Sequence, residues 1–426
     1  MSASNIRLLC LALVSIGLLY FFLPWLSASA ASPDIESLSE VAEGQRHRQC
    51  LPFTEQERLG GHCRNLHDIS APERQQIERL DMRLQEDGRD VTASGFSDIT
   101  GYFRDIVVLP SGELVVVGGR GLKVARSDAD ARHWTLDSYS GFADGLLGVA
   151  MGPDGRGYAV GQNGGVIFET RNGGRDWEPF NRVFDDLNDA QVEALNVPMG
   201  LFDVAFADAD TAVAVGYESL LRTIDDGLDW HRIELPIDMD DVNLQEVVFT
   251  GPDRGWTVGS GGTVLRTDDA GADWQAVDIG AEDAHLTTVA FVDPDHGCIG
   301  GGLSVWCTRD GGGTWQATKL TLPRPVAYEP DVGVFRLRFL DANQAWLITQ
   351  DGLVYRSKDG GDSWTLWLDL TRPGREDSAG VMLAGLALGN GRAWVVGSGT
   401  LKPGPDADPR WDTRRSPIML SWPLDP

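Results

Sequence analysis

Acids recur at fixed spacing along this chain, and acids at fixed spacing are what a glycoside hydrolase or a metal site needs. Asn172, Asp225, Asp269, Asp310 and Asp359 each lie two residues after a hydroxyl side chain. Five residues further on come Trp177, Trp230, Trp274, Trp315 and Trp364, closing a shared pattern of hydroxyl-x-Asp/Asn-x-Gly-x-x-Trp. A worn sixth copy, Ser127 to Trp134, keeps the hydroxyl and the tryptophan but loses the acid and the glycine. Successive tryptophans, counted from Trp134, stand 43, 53, 44, 41 and 49 residues apart. A side chain required equally in every copy is scaffold, because a reacting site would break the repeat. Asp and Ser/Thr cap their own backbone in turns, glycine permits positive φ, and the tryptophan fills space between repeats.

Chemistry is better sought where the copies differ. Aligning the first strand of each unit puts Asp105, Gly148, Asp203, Glu246, Thr288, Arg336 and Gly385 in one column. Two residues later every unit is small or apolar except for Arg338. Asp105, Asp203, Glu246, Arg336 and Arg338 would then form a mixed ring at the mouth of a central channel. Such a ring either binds a charged ligand or bridges neighbouring units internally. Its carboxylates could also supply the acid and base of glycoside hydrolysis. A second cluster, His47, Cys50, His62, Cys63 and His67, matches no common zinc spacing and reads better as a Cys50–Cys63 bridge. Cys-x-x-Cys-His is absent from the sequence, so no covalent haem is implied. No metal or cofactor is expected.

The elements that position these residues are short strands. Leu286–Phe291 alternates, Gly251 to Gly255 turns, Trp256–Gly259 forms a second strand, and Gly261-Gly262 turns again. Four short strands in each 40–50 residues predict an all-β fold, a seven-bladed β-propeller of four-stranded blades. The seventh unit has three strands: 383–388, 391–397 and 417–422. An open edge there is a liability, so a strand from near Arg89 to Ala93 is expected to complete it. In the fifth unit a two-residue turn at Gly302-Leu303 sets 298 opposite 307. A Cys298–Cys307 disulfide follows, because alpha carbons in a non-hydrogen-bonded pair approach within bridging range. Before the ring, a capping box at Ser70–Glu73 and Ile77, Leu80 and Leu84 at helical spacing predict a short helix. The domain plan is a signal or anchor over 1–31, a helical segment with the donated strand over 32–94, and the propeller over 95–426.

Leu8 to Leu26 is a nearly unbroken apolar run after Arg7, followed by Ser27-Ala28-Ser29-Ala30-Ala31. It reads as a cleaved signal peptide or as a retained membrane anchor. Both place the rest of the chain outside the cytoplasm, in a periplasm or a thylakoid lumen. With 63 acidic and 36 basic residues the net charge is −27, which argues against nucleic-acid and anionic-lipid partners. A chain of 426 residues with 42% hydrophobics has ample core, so a stable monomer is expected. Strand alternation puts the patterned acids on one face of the ring. The long insertions, 181–200, 231–244, 319–334 and 370–382, fall on the other. Loops of that length are functional or disordered, so the binding face is placed there, with Arg182, Arg324, Arg372 and Arg375 as further candidates.

The Thr-x-Asp-x-Gly-x-x-Trp pattern resembles the Asp-box (BNR) repeat of sialidase-type propellers. Its longer form, Phe249 to Gly259 and on to Trp274, resembles the photosystem II assembly and stability factor family over roughly residues 95–426. That resemblance implies an exported, non-catalytic, seven-bladed propeller that binds a subunit of a membrane complex during assembly. A sialidase-like hydrolase or a carbohydrate-binding propeller is the alternative. The sequence has no Arg-Ile-Pro segment of the sialidase kind, and seven units are present where those enzymes have six.

Overall fold

The computed structural model describes residues 72–86, 89–96, 101–119, 121–139, 145–161, 166–179, 200–239, 242–323, 333–371, 378–401 and 416–424. The described chain opens with β1 (Glu73–Glu86) and β2 (Arg89–Phe96). A meander follows: β3 (Phe103–Val108), β4 (Leu114–Gly118), β5 (Leu122–Ser127) and β6 (His133–Tyr139). The second is β7 (Leu146–Met151), β8 (Gly157–Gly161), β9 (Ile167–Thr170) and β10 (Glu178–Pro179). The third is β11 (Leu201–Phe206), β12 (Ala212–Gly216), β13 (Ser219–Thr223) and β14 (His231–Arg232). Next come β15 (Leu244–Phe249), β16 (Gly255–Gly259), β17 (Val264–Thr267) and β18 (Gln275–Ala276). The fifth holds β19 (Leu286–Phe291), β20 (Gly297–Gly301), β21 (Ser304–Thr308) and β22 (Gln316–Lys319). The sixth holds β23 (Val334–Phe339), β24 (Ala345–Thr349), β25 (Leu353–Ser357) and β26 (Thr365–Asp369). The last strands are β27 (Ser378–Gly389), β28 (Arg392–Leu401) and β29 (Ser416–Pro423). Among the described residues the structure is thus nearly all β, with a single 3₁₀ turn at Ser260–Gly262.

Five of these meanders are separate four-stranded antiparallel sheets. The remaining strands make one nine-stranded sheet in the order β27-β28-β29-β2-β1-β6-β5-β4-β3. First strands touch in sequence, β3 to β7 to β11 to β15 to β19 to β23 to β27, and β27 returns to β3. Each second strand also packs on the first strand of the following group, including β28 on β3. Second strands such as Leu114–Gly118 and Ala212–Gly216 are therefore buried on both faces, which explains their unbroken apolar runs. The core lies in the seams between sheets, as in the cluster joining Val213, Val215 and Leu220 to Leu244, Val247, Leu265 and Trp274.

The patterned acids act within their own turns. In the fourth sheet Thr267 Oγ1 donates to Asp269 Oδ1 at 2.7 Å, and the Gly271 amide donates to Thr267 Oγ1 at 3.0 Å. The Asp273 amide donates to Asp269 Oδ1 at 2.9 Å, and Trp274 Nε1 donates to the Gly271 carbonyl at 3.1 Å. Equivalent bonds join Thr170 to Asn172, Thr223 to Asp225, Thr308 to Asp310 and Ser357 to Asp359. Each box is also tied to the first turn of its own sheet, with Gly173, Asp226, Ala270, Gly311 and Gly360 donating to Gly155, Asp210, Asp253, Asp295 and Asn343. Boxes and first turns therefore share one face. On the other face the second turns meet the links between sheets, as where the Tyr217 amide donates to the Gly200 carbonyl at 3.0 Å. The box glycines press on the preceding sheet: a Cβ at Gly312 would come within 2.3 Å of the Trp256 ring. The worn copy keeps this geometry, with Ala131 at φ 53 in the glycine's place and Trp134 Nε1 bonded to its carbonyl.

The helix expected over 73–84 is not there. Those residues form β1, which changes partners midway: Glu73–Glu78 pair with β6, and Arg79–Glu86 pair with β2. Ile77 enters the core of the first meander, whereas Leu80 and Leu84 enter the core built by β27–β29. Two period-two stretches out of phase reproduce the spacing of a helical stripe, so a strand that changes partners midway has the sequence pattern of a helix. Ser70, the cap of the expected box, lies outside the described residues.

β2 runs beside β29, with Thr92 opposite Ser421 and Gly95 opposite Ile418. The hairpin β1–β2 thus stitches the last three strands to the first meander. In the fifth sheet Gly301 pairs with Ser304 and Cys298 with Cys307. The two cysteines are joined by a disulfide, with alpha carbons 4.1 Å apart. A Cβ at Gly361 would meet Cys298 Sγ at 2.6 Å, so the bridge occupies the place that Trp256 takes one sheet earlier.

Candidate functional site

First strands are sheet edges, and an edge leaves amide groups unpaired unless something covers them. All seven shift register just before the aligned column, as between Phe103 and Asp105, Leu201 and Asp203, and Leu244 and Glu246. A bulge re-aims the next side chain. Here the side chain reaches the following first strand and accepts its free amide. Val149 N–H donates to Asp105 Oδ2 at 2.9 Å, and Val247 N–H donates to Asp203 Oδ2 at 2.9 Å. Val289 N–H donates to Glu246 Oε2 at 2.7 Å, and Leu337 N–H donates to Thr288 Oγ1 at 3.0 Å. Where the column holds glycine the backbones abut instead, with a Cβ at Gly148 falling 2.8 Å from the Asp203 Cα.

The structure brings the five expected ring residues together, but as a buried network rather than an open mouth. Asp105, Asp203, Glu246 and Arg336 are 5%, 8%, 2% and 4% exposed. Arg338 Nη2 lies 2.9 Å from Glu246 Oε1, and Arg336 Nε lies 3.6 Å from the same oxygen. Arg336 Nη1 also donates to the Thr287 and Phe335 carbonyls at 3.2 and 3.0 Å. Arg338 keeps a side-chain exposure of 32% and is the one ring member facing solvent. Arg182, Arg324, Arg372 and Arg375 lie outside the described residues, as do Cys50, Cys63 and the surrounding histidines.

Arg104, which the aligned column does not include, joins Arg336 on one aromatic ring. Its guanidinium stacks on the Phe335 ring at 4.7 Å, and Arg336 stacks on the same ring at 4.8 Å. No hydrogen-bond acceptor for Arg104 is placed among the described residues. The signal was present one column earlier, which reads Arg104, Leu147, Phe202, Gln245, Thr287, Phe335 and Ala384. One charge in an otherwise uncharged column marks the same break in the repeat.

Burial decides the protonation of the network. Asp203 is pushed up to about 8, first by loss of water and then by the neighbouring Glu246 and Asp105 charges. Burial also raises Asp105, against the pull of Arg336 and Arg338. Burial would raise Glu246 too, but the Arg338 and Arg336 guanidiniums outweigh it and hold that carboxyl below its usual range. Arg104 is drawn down to about 10 by burial and by Arg336. A neutral acid beside an ionised one is the arrangement of a hydrolase. Here, however, Glu246 has Oε2 on the Val289 amide and Oε1 on Arg338, and Asp203 has Oδ2 on the Val247 amide. These groups fasten strands and are not presented to a substrate.

The raised Asp203 sets a pH dependence. The folded state holds a proton that the unfolded chain has released above about pH 4, so stability falls as pH rises from about 4 to about 8. Asp203→Asn keeps an acceptor for the Val247 amide and removes the titration. Its melting temperature is expected to gain steadily on the parent's as pH rises from about 4 to about 8, and to exceed it near pH 9. Equal melting temperatures at the upper pH would refute a buried, protonated Asp203.

Two further observations bound the chemistry. Among the described residues no group of three or more His, Cys, Asp or Glu side chains is placed to hold a metal ion. No helix among them is long and apolar enough to cross a membrane, and residues 8–26 lie outside the described set.

Comparison with known proteins places the chain by sequence. Residues 182–285 and 274–382 match the family described as photosynthesis system II assembly factor YCF48. Among curated relatives, the photosystem II assembly lipoprotein Ycf48 of Synechocystis sp. is 30% identical over 164 residues, 37% of this chain and 44% of that protein. The chloroplastic photosystem II stability/assembly factor HCF136 of Oryza sativa is 26% identical over 187 residues, covering 41% and 44%. The chain spans less than half the length of these relatives. Among solved structures, virginiamycin B lyase from Staphylococcus aureus aligns with TM-score 0.54 at 11% identity, over 83% of this chain and all of that one. At such identity the likeness is one of fold. A structure of YCF48 bound to D1 peptide aligns with TM-score 0.45 at 18% identity, over 66% and 92%. The chain is similar to the photosystem II assembly and stability factors, as its boxes indicate.

Proposed function

We propose that this relative of the photosystem II assembly factors is a non-catalytic, exported scaffold that binds a subunit of a membrane protein complex during assembly. The observation that carries the reading is the family match across residues 182–382, which spans four consecutive boxes. The names of the curated relatives make a photosystem II polypeptide the first partner to test. Residues 1–31 act as leader or anchor, residues 32–94 donate a strand to the last blade, and residues 95–426 form the rest of the propeller.

The blade count belongs to the same proposal. Five sheets count as five blades, and the nine-stranded sheet counts as two, sewn together by β1. The circuit of first strands from β3 through β27 and back supports seven. The binding face is the one opposite the boxes, where the second turns meet the links between sheets, as at Tyr217 and Gly200. The three ring acids, Asp105, Asp203 and Glu246, are buried and each accepts a strand amide, which argues against their serving as acid and base. Tagged protein recovered from solubilised membranes is expected to bring down one membrane-complex subunit in near-stoichiometric amount. Recovery of no specific membrane polypeptide, or turnover of aryl glycosides by the purified protein, would overturn the reading.

A further inference from the structure

The third box departs from the others on its outer surface. Among the described residues the most exposed large apolar side chains are Ile224 at 57% and Leu228 at 52%. Both sit in the same box, four residues apart, on either side of Asp225. The other boxes carry Arg171, Asp268, Arg309 and Lys358 where this one has Ile224. They carry Arg175, Ala272, Gly313 and Asp362 where this one has Leu228. A residue required by the turn would recur, so neither aliphatic side chain is there for the turn. Neither contributes to the core, which in this sheet is made by Leu221, Trp230, Val204 and their neighbours.

Acids frame the pair. Asp226 follows Ile224 by two residues at φ 66, and its amide donates to the Asp210 carbonyl at 3.2 Å. Asp208 and Asp210, both exposed, form the first turn of the sheet, and Asp229 follows Leu228 directly. The cations near Asp226 are already taken, Arg156 by Asp226 and Asp154 and Arg171 by Glu169. Arg222 is turned into the seam toward the Ala270 carbonyl at 2.8 Å. An apolar pair within a ring of excess negative charge complements one kind of surface, an apolar side chain flanked by cations.

We propose that Ile224 and Leu228, framed by Asp208, Asp210, Asp226 and Asp229, form a docking surface for a basic peptide segment bearing a large apolar side chain. This surface lies on the box face, so it is a second contact, separate from the face opposite the boxes. It stands or falls independently of the membrane-complex reading.

The test is selection from a phage-displayed random peptide library on the folded full chain, after depletion on the Ile224→Arg/Leu228→Ala variant. Because other boxes already carry Arg and Ala at these positions, the variant is expected to melt as the parent does. Enriched peptides should share a Leu, Ile, Met or Phe flanked by Lys or Arg. Made synthetically, they should bind the variant at least about ten-fold more weakly, and bind the parent less tightly as salt rises. Recovery of no peptide that depends on the two side chains, or recovery of acidic or uncharged ones, would overturn the proposal.

Discussion

Glu246→Ala is expected to lower folding stability by about 3–5 kcal/mol, the loss typical when one partner of a buried ion pair is removed. Three groups lose a partner at once. Arg336, 4% exposed, has Nε 3.6 Å from Glu246, Arg338 Nη2 lies 2.9 Å away, and the Val289 amide donates to the same carboxylate. The charge left behind at Arg336 has no water to solvate it. Adding Arg336→Met to Glu246→Ala removes that orphan and should recover part of the loss, because an apolar replacement of a buried pair is often nearly neutral. Denaturant titrations of the two single variants and the double variant give the coupling directly. Additive losses would mean that the two side chains do not share one network.

Gly312→Ala should be almost as damaging for a different reason. Gly312 sits at φ +88, where a side chain costs about 1–2 kcal/mol. Its Cβ would also lie 2.3 Å from the Trp256 ring of the preceding sheet, and overpacking of that kind adds about 1–3 kcal/mol. Gly173 separates the two costs, since it sits at φ +72 with nothing within 4 Å of its added Cβ. Gly173→Ala should therefore carry the backbone cost alone. Equal unfolding midpoints for the two variants would show that the boxes do not clamp neighbouring sheets.

Much of this arrangement is legible in the sequence, because a repeat reports each constraint several times. The hydroxyl, the acid, the glycine and the tryptophan recur since each is needed by one turn and one seam. Cys298 and Cys307 are legible for the same local reason: a two-residue turn after Gly301 fixes the register of everything behind it. β1 is not legible in this way. Its first half pairs with β6 and its second half with β2, so its burial pattern switches phase between Ile77 and Leu80 and imitates a helix. Nothing local in Glu73–Glu86 announces that two distant edges are waiting for it.

The ring of charges was half legible. Its column was visible because the repeat fails there, but burial was not, and burial turns a channel mouth into a set of fasteners. Glu246 reads as a free acid in sequence; in the fold it is the ion-pair partner of two arginines and the acceptor of an amide. Arg104 shows the converse. Its stacking on Phe335, which lies five strand groups further along the chain, depends on closure of the circuit and leaves no trace within its own unit.

Site-specific photocrosslinking in native membranes tests the central claim most directly, that this scaffold holds a membrane protein on the face opposite its boxes. A photoreactive side chain would replace Glu234 or Leu303 on that face, and Asp293 or Lys358 on the box face. The account predicts adducts with one membrane-complex subunit from Glu234 and Leu303 and none with it from Asp293 or Lys358. Adducts confined to the two box-face positions would contradict it.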